Sequence, residues 1–305
     1  MRSPELEQVF QHLRDIKRRA TEFALARDMV GYRRVIHGYG AINEATSQAT
    51  GESTPAIADG VSCEWVRTES SDPARRLLYV HGGGWISGDI ESYRPLTGRI
   101  AEATGCSVLA VDYRLAPEHP FPAGLEDVLA AYTWMLNNGP EGPGEASKIY
   151  IAGDSAGGNL TLAATLSLRD AGTRLPDAVV GISPATDFTA SGDSCKTRAD
   201  VDPIIDAARV GSAGKAYYGD RDPVEPLLSP LFAELAGFPP LLLHVGDAET
   251  LLDDSVRFAH KARESGVDAT LKIWPGMPHV FHVFAPYLEE SLRAIDEIGE
   301  FIRSY

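Results

Sequence analysis

Cysteine is scarce. Cys63, Cys106 and Cys195 are the only three in 305 residues, widely spaced and without a C-x-x-C pair. So sparse and odd a count excludes a disulfide framework and is expected of a protein kept in a reducing compartment. Long apolar runs are also missing: no stretch approaches the ~18 uninterrupted apolar residues of a membrane span. The opening MRSPELEQVFQHLRDIKRR lacks the apolar centre of a secretory signal, so a soluble, cytoplasmic protein is expected. Positive charge is in deficit. Lys and Arg number 28 against 43 Asp and Glu, giving a net charge of −15 and a pI near 4.9. Such a field repels nucleic acid and anionic membrane, so neither is an expected partner. Internal repeats and low-complexity tracts are absent as well.

What is present is ordinary for a globular enzyme: 44% apolar and 23% charged residues. A chain of this length makes one large domain or two modest ones and buries a core without metals or disulfides. Leu6, Val9, Phe10, Leu13 and Ile16 recur at helical spacing, predicting one or two amphipathic helices over 4–27. Residues 41–60 are polar and weakly patterned and read as a loop. Apolar, β-branched runs follow at 75–80, 107–113, 148–152, 178–182, 240–245 and 269–274, with helical patterns at 93–104, 123–137, 156–171, 251–265 and 286–303. This alternation predicts an α/β protein whose mostly parallel sheet is covered on both faces. CEWVRTES (63–70) reads as an earlier antiparallel strand. Residues 186–232, with four prolines and many charges, break the rhythm and read as an insertion above the sheet, packed with the N-terminal helices.

The segment IAGDSAGGN (151–159) places Ser155 between Gly153 and Gly157, directly after a strand and before a helix. In an open α/β sheet, reactive groups lie just beyond the carboxyl ends of the strands. A sharp strand-to-helix turn exposes a serine hydroxyl there, but only if residues two positions away on either side are tiny. The helix start behind Ser155 also aims free N–H groups at any negative charge forming on a substrate. A glycine-rich turn with a capping serine is the simpler alternative. The strand before and the helix after argue against it.

YVHGGGWISGD (79–89) follows another strand, and three successive glycines let backbone N–H groups approach a ligand closely. It has neither the GK[ST] ending nor the GxGxxG spacing of a phosphate loop. Gly83, Gly84 and the N–H of Ala156 are therefore the expected oxyanion donors.

Of eight histidines, His279 in WPGMPHVFHVF follows the last strand by a short loop, at the same sheet edge as Ser155. His282 is expected in or near the start of the last helix, and His244 buried within a strand. His12, His37, His119 and His260 have no matching context. A carboxylate must orient the imidazole. LLLHVGDAETLLDDS offers four, of which Asp253 and Asp254 belong to the first turn of the next helix, where its dipole favours negative charge. Spacing alone leaves Asp247 and Glu249 open.

HGGGW (81–85), VDYRLAPEHPFPA (111–123), GDSAGGNL (153–160), PPLLLHVGDAETLLDDS (239–255) and WPGMPHVF (274–281) together resemble the bacterial hormone-sensitive-lipase family of α/β-hydrolase esterases. The matches run in family order from about residue 61 to the C-terminus. Residues 1–60 match loosely, where the family has cap helices. The resemblance implies the α/β-hydrolase fold: one domain over 1–305, a mostly parallel eight-stranded sheet, and a helical cap from about 1–45 and 186–232. It implies hydrolysis of short-chain carboxylic esters through an acyl-enzyme, without metal or cofactor. Ser155 would be the nucleophile, His279 the base and Glu249 the acid, where many relatives carry Asp. His81 and Tyr113 would support the glycine loop, and Trp85 would contact substrate and, with the cap, keep the acyl pocket short. At Ala185 many relatives carry a bulky aromatic, so an open wall is expected there. Relatives often pair through the last strand and helix, which implies a homodimer.

Three narrower activities compete: a lactone hydrolase, an acetyl-esterase, or an amidase on one small substrate. A non-catalytic ligand receptor of this fold would lack the histidine that His279 supplies. A peptidase would want an additional domain, for which 305 residues leave no room.

Overall fold

Runs such as CSVLAV, AVVGI and LLLHVG are buried at every position, as strands covered on both faces must be. The computed structural model describes residues 2–305, and every side chain among them except those of 207–212. The strands are β1 (Glu52–Ala58), β2 (Val61–Arg67), β3 (Asp72–Val80), β4 (Cys106–Val111), β5 (Lys148–Asp154), β6 (Ala178–Ile182), β7 (Leu241–Gly246) and β8 (Ala269–Trp274). They form one sheet in the order β1-β2-β4-β3-β5-β6-β7-β8. From β4 across to β8 all neighbours run parallel, while β1 and β2 are antiparallel additions at one edge.

The longer helices are α1 (Pro4–Leu25), α2 (Met29–His37), α3 (Ile90–Thr104), α4 (Ala123–Met135), α5 (Ser155–Asp170), α6 (Ala207–Tyr218), α7 (Leu252–Glu264) and α8 (Glu289–Ser304). The pleat of β3 shows how they share the sheet. Leu77 and Tyr79 pack with Ile100 of α3 and Ile298 of α8, whereas Leu78 and Val80 pack with Val128 of α4 and Leu160 of α5. Alternate side chains on one strand thus feed two hydrophobic cores.

The N-terminal arm starts at a Ser3 cap whose hydroxyl accepts from the Leu6 N–H, with Pro4 in the first turn. Its apolar stripe of Val9, Phe10 and Leu13 packs on Trp274 at the end of β8 and on Phe281 and Phe284 beyond it. Further along, Ile16 and Ala20 meet Val35 of α2 and Ile204. Lys17 Nζ donates to the Ile205 carbonyl, so the N-terminal arm and the 186–232 segment touch, as expected.

Two expectations need correction. Residues 41–60 are not a plain loop, because they hold a helical turn at Glu44–Ser47 and all of β1. That strand is an edge, mostly exposed, and carries Pro55. It has neither apolar alternation nor a buried face to betray it. The last helix begins at Glu289, and His282 lies in a preceding 3-10 turn, Phe281–Phe284. There its ring nitrogen is 3.1 Å from that of His244, both rings being buried.

Candidate active site

Ser155 is the first residue of α5 and has φ +53, a left-handed conformation that costs a non-glycine residue energy. The neighbouring glycines are sterically required. A Cβ at Gly157 would collide with the Val80 and His81 carbonyl oxygens, and one at Gly153 would lie 2.5 Å from the Gly157 oxygen. β5 and the start of α5 are thereby pressed against the end of β3, where the glycine loop begins.

The loop's backbone is equally unusual. Gly83, Gly84 and Trp85 all have positive φ, at 120, 64 and 61. Two devices hold it. His81 stacks on Tyr113 with ring centres 4.3 Å apart, its Nδ1 is 2.7 Å from the Gly82 oxygen, and the Tyr113 hydroxyl donates to the His81 carbonyl. Burial pushes the His81 imidazole down to about 4, so the ring is neutral near pH 7. The second device is Asp154. It accepts from the Tyr79 hydroxyl (2.9 Å), the Tyr93 hydroxyl (2.8 Å) and the Gly82 N–H (3.1 Å). It also occupies the N-cap position of α5 yet makes no side-chain cap, so its carboxylate leaves the helix's first N–H groups alone. Burial pushes Asp154 up to about 6, against the lowering pull of Tyr93 and Tyr79.

His279 lies in the turn after β8. Its Nε2 is 2.9 Å from Ser155 Oγ and its Nδ1 is 2.5 Å from Glu249 Oε2. Glu249 is fully buried, and its other oxygen accepts from Ser183 Oγ and the Gly246 N–H, both at 2.7 Å. Burial pulls the His279 imidazole down, but the adjoining Glu249 carboxylate, with Asp202 and Asp154 adding to it, raises it, and the net shift is upward. Tyr39 donates to the His279 carbonyl at 2.6 Å. Asp247, the other candidate acid, faces elsewhere: its Oδ1 accepts from the Gly276 N–H. Asp253 and Asp254 do fall in the first turn of α7.

A cavity of about 810 Å³ opens over these groups, with Gly83, Gly84, Ser155, Ala185 and His279 in its wall. Ala156 is buried behind Ser155. Trp85 lines the cavity too. The residue is 3% exposed, its ring stacked on Tyr217 and close to Phe188, with Nε1 donating to Asn159 Oδ1. The indole is a brace between the glycine loop and the 186–232 segment. Sequence reasoning did not single out Asp154, Tyr39 or Ser183. Asp154 sits in the motif GDSAGGNL and Ser183 directly follows the end of β6, whereas nothing local marks Tyr39. Among the described residues, no cluster of His, Cys, Asp or Glu could hold a metal ion.

This arrangement is that of an acyl-transfer hydrolase, and residues 77–283 match the α/β hydrolase fold family, to which the chain belongs. An acetyl-hydrolase of Streptomyces hygroscopicus is 43% identical over 244 residues, 80% of either chain. The esterase LipU of Mycobacterium tuberculosis is 34% identical over 280 residues, covering 87% of this chain and 92% of that one. The crystal structure of an esterase from the bacterial hormone-sensitive lipase family superposes with a TM-score of 0.90 at 40% identity, covering 100% of this chain and 99% of the other. Within the fold family, then, this is a carboxylic ester hydrolase of the bacterial hormone-sensitive-lipase group.

Gly157→Ala tests the steric argument. Forcing a methyl against two carbonyls costs about 1–3 kcal/mol and displaces Ser155 from His279. We expect a lower melting temperature and at least a roughly tenfold drop in kcat/KM for p-nitrophenyl acetate. Unchanged values for both would show that the elbow has slack.

Proposed function

We propose that the chain is a serine carboxylesterase acting on short-chain esters through an acyl-enzyme, with Ser155 as nucleophile, His279 as base and Glu249 as acid. The continuous line Ser155–His279–Glu249 carries this reading. His279 takes the Ser155 proton as Oγ attacks the ester carbonyl, and the N–H groups of Gly83, Gly84 and Ala156 hold the developing oxyanion. The same proton goes to the departing alcohol as the C–O bond breaks. Water, deprotonated by His279, then attacks the acyl-enzyme and frees the acid and Ser155. Every step is proton and acyl transfer among these groups, so the scheme calls for no cofactor. Segments 1–45 and 186–232 serve as the cap over the cavity. The acetyl-hydrolase relative at 43% identity supports a short acyl group, while the roughly 810 Å³ of space leaves room for a larger alcohol or a lactone ring. The free thiols of Cys63, Cys106 and Cys195 support a cytoplasmic setting, and no helix among the described residues is long and apolar enough to cross a membrane.

A series of p-nitrophenyl esters tests the reaction. C2–C6 esters should be turned over fastest, and Ser155→Ala should lose on the order of 10⁶ in turnover while remaining folded. Residual activity of a few per cent in pure Ser155→Ala, or faster cleavage of C12 than C4, would contradict the scheme or the acyl preference respectively.

The acid is separated from its neighbour by pH profiles. Neutral His279 is the active form and its pKa is raised, so activity is lost as pH falls, with the acid limb of kcat/KM above imidazole's usual ~6.5. Glu249→Gln should move that limb to lower pH and cost about 10⁴ in turnover. Asp247→Asn keeps an acceptor for Gly276 and should do neither. The reverse pattern would transfer the role to Asp247.

We also propose a homodimer formed through β8 and α8. β8 is the open parallel edge of the sheet, and Ile273 on it and Leu292 on α8 are exposed apolar residues, a pairing-prone combination. Light scattering at micromolar concentration should give twice the 32.9 kDa chain mass, shifted toward monomer by Ile273→Lys. A monomeric wild type refutes the pairing.

A further inference from the structure

One buried carboxylate near the site has no part in the scheme above. Asp202, in the 186–232 segment, is 4% exposed, and its two oxygens face different structures. Oδ1 accepts from the N–H groups of Ile204 (2.9 Å) and Ile205 (2.8 Å), whose residues both line the cavity. Oδ2 accepts from the Thr250 N–H (2.7 Å) and the Thr250 hydroxyl (3.2 Å), and Thr250 directly follows Glu249 in the chain. A buried carboxylate is tolerated only when its lone pairs are filled. Here each oxygen is filled by donors from one side of the junction.

The same short stretch is fastened to the acid-bearing turn at further points. Ser194 Oγ donates to the Thr250 carbonyl at 2.6 Å, the Ser194 N–H donates to Asp253, and Arg198 Nε donates to the Asp247 carbonyl. A segment that merely roofed the cavity would need no such anchorage at the turn carrying Glu249.

We propose that Asp202 is a positioning residue that couples the cavity wall at Ile204 and Ile205 to the orientation of Glu249. The inference rests on the reading of Glu249 as the triad acid. Substrate packed against Ile204 and Ile205 fixes one oxygen of Asp202. The rigid carboxylate then fixes Thr250, and through it the side chain that holds His279. Asp202 also contributes negative charge. The groups around His279 are Glu249 from the β7–α7 turn, Asp154 from the elbow, Asp202 from the 186–232 segment and the Tyr39 hydroxyl, and each of the three carboxylates favours the protonated ring.

The test is a double-mutant cycle on the full-length protein with p-nitrophenyl acetate and butyrate. Asparagine offers one acceptor oxygen and one NH2 group, so Asp202→Asn can serve one pair of donors and must face the other pair with N–H. Alone it should lower kcat about tenfold or more with KM changed less than about threefold, and move the acid limb of kcat/KM to lower pH. In a Glu249→Gln background it should cost less than about twofold more, because the residue it positions is already gone. Thr250→Val removes one donor and keeps the backbone bond. It should give a smaller kcat loss that likewise disappears in the Glu249→Gln background, and it stands in if Asp202→Asn does not fold. Additive losses in the cycle, or an effect confined to KM, overturn the coupling. Should Glu249→Gln alone keep near-normal turnover, it is the acid assignment that fails, whatever Asp202→Asn does.

Discussion

Everything at the site depends on a backbone contact with no room for a methyl group. The start of α5 runs so close to the end of β3 that Gly157 lies against the Val80 and His81 carbonyls. β3 and β5 are adjacent parallel strands, so the turns leaving them emerge side by side. One turn carries Ser155 in a left-handed conformation, the other the glycine loop. Elbow and loop are therefore set by one contact between two strands, and the Asp154 carboxylate, bonded to Tyr79, Tyr93 and the Gly82 N–H, locks them in that relation.

The second organising feature is electrostatic. Three carboxylates, Glu249, Asp202 and Asp154, bear on one buried imidazole. Burial by itself would keep His279 neutral and make a transient positive ring costly. The carboxylates offset that, as a ring that takes and returns the Ser155 proton in the proposed scheme requires. Each is held by its own donors, Ser183 and Gly246 for Glu249, Thr250 and two backbone N–H groups for Asp202. Charge is thus placed without long flexible side chains. The other buried histidines, His81, His244 and His282, are pushed down by burial, even though Glu297 lies 3.7 Å from His244 Nε2 and Asp89 pulls His81 upward.

Segments distant in sequence complete the site. The N-terminal arm brings Tyr39 to the His279 carbonyl, and the 186–232 segment packs Phe188 and Tyr217 against Trp85. Neither contributes a reacting group in the proposed scheme. Both shape the roughly 810 Å³ cavity, so differences in substrate preference between this chain and its relatives are best sought there.

The sequence alone determined the parallel core and marked Ser155 and His279 as candidates. Strands buried on both faces leave continuous apolar runs, and helices between them leave a 3.6-residue period, so β4–β7, the buried half of β3 and α3, α4, α5, α7 and α8 were legible within a few residues. Ser155, His279 and the glycine loop were legible because each follows such a strand directly, and the constraint that needs glycine is local. β1 was not legible: an exposed edge strand has no buried face to leave a pattern. Spacing did not distinguish Asp247 from Glu249, and it is the folded turn that sends one side chain to the Gly276 N–H and the other to His279. The contacts of Trp85, Tyr39 and Asp202 likewise exist only in three dimensions. Their roles come from contacts between segments far apart in the chain, and such contacts leave no periodicity or spacing in the sequence to read.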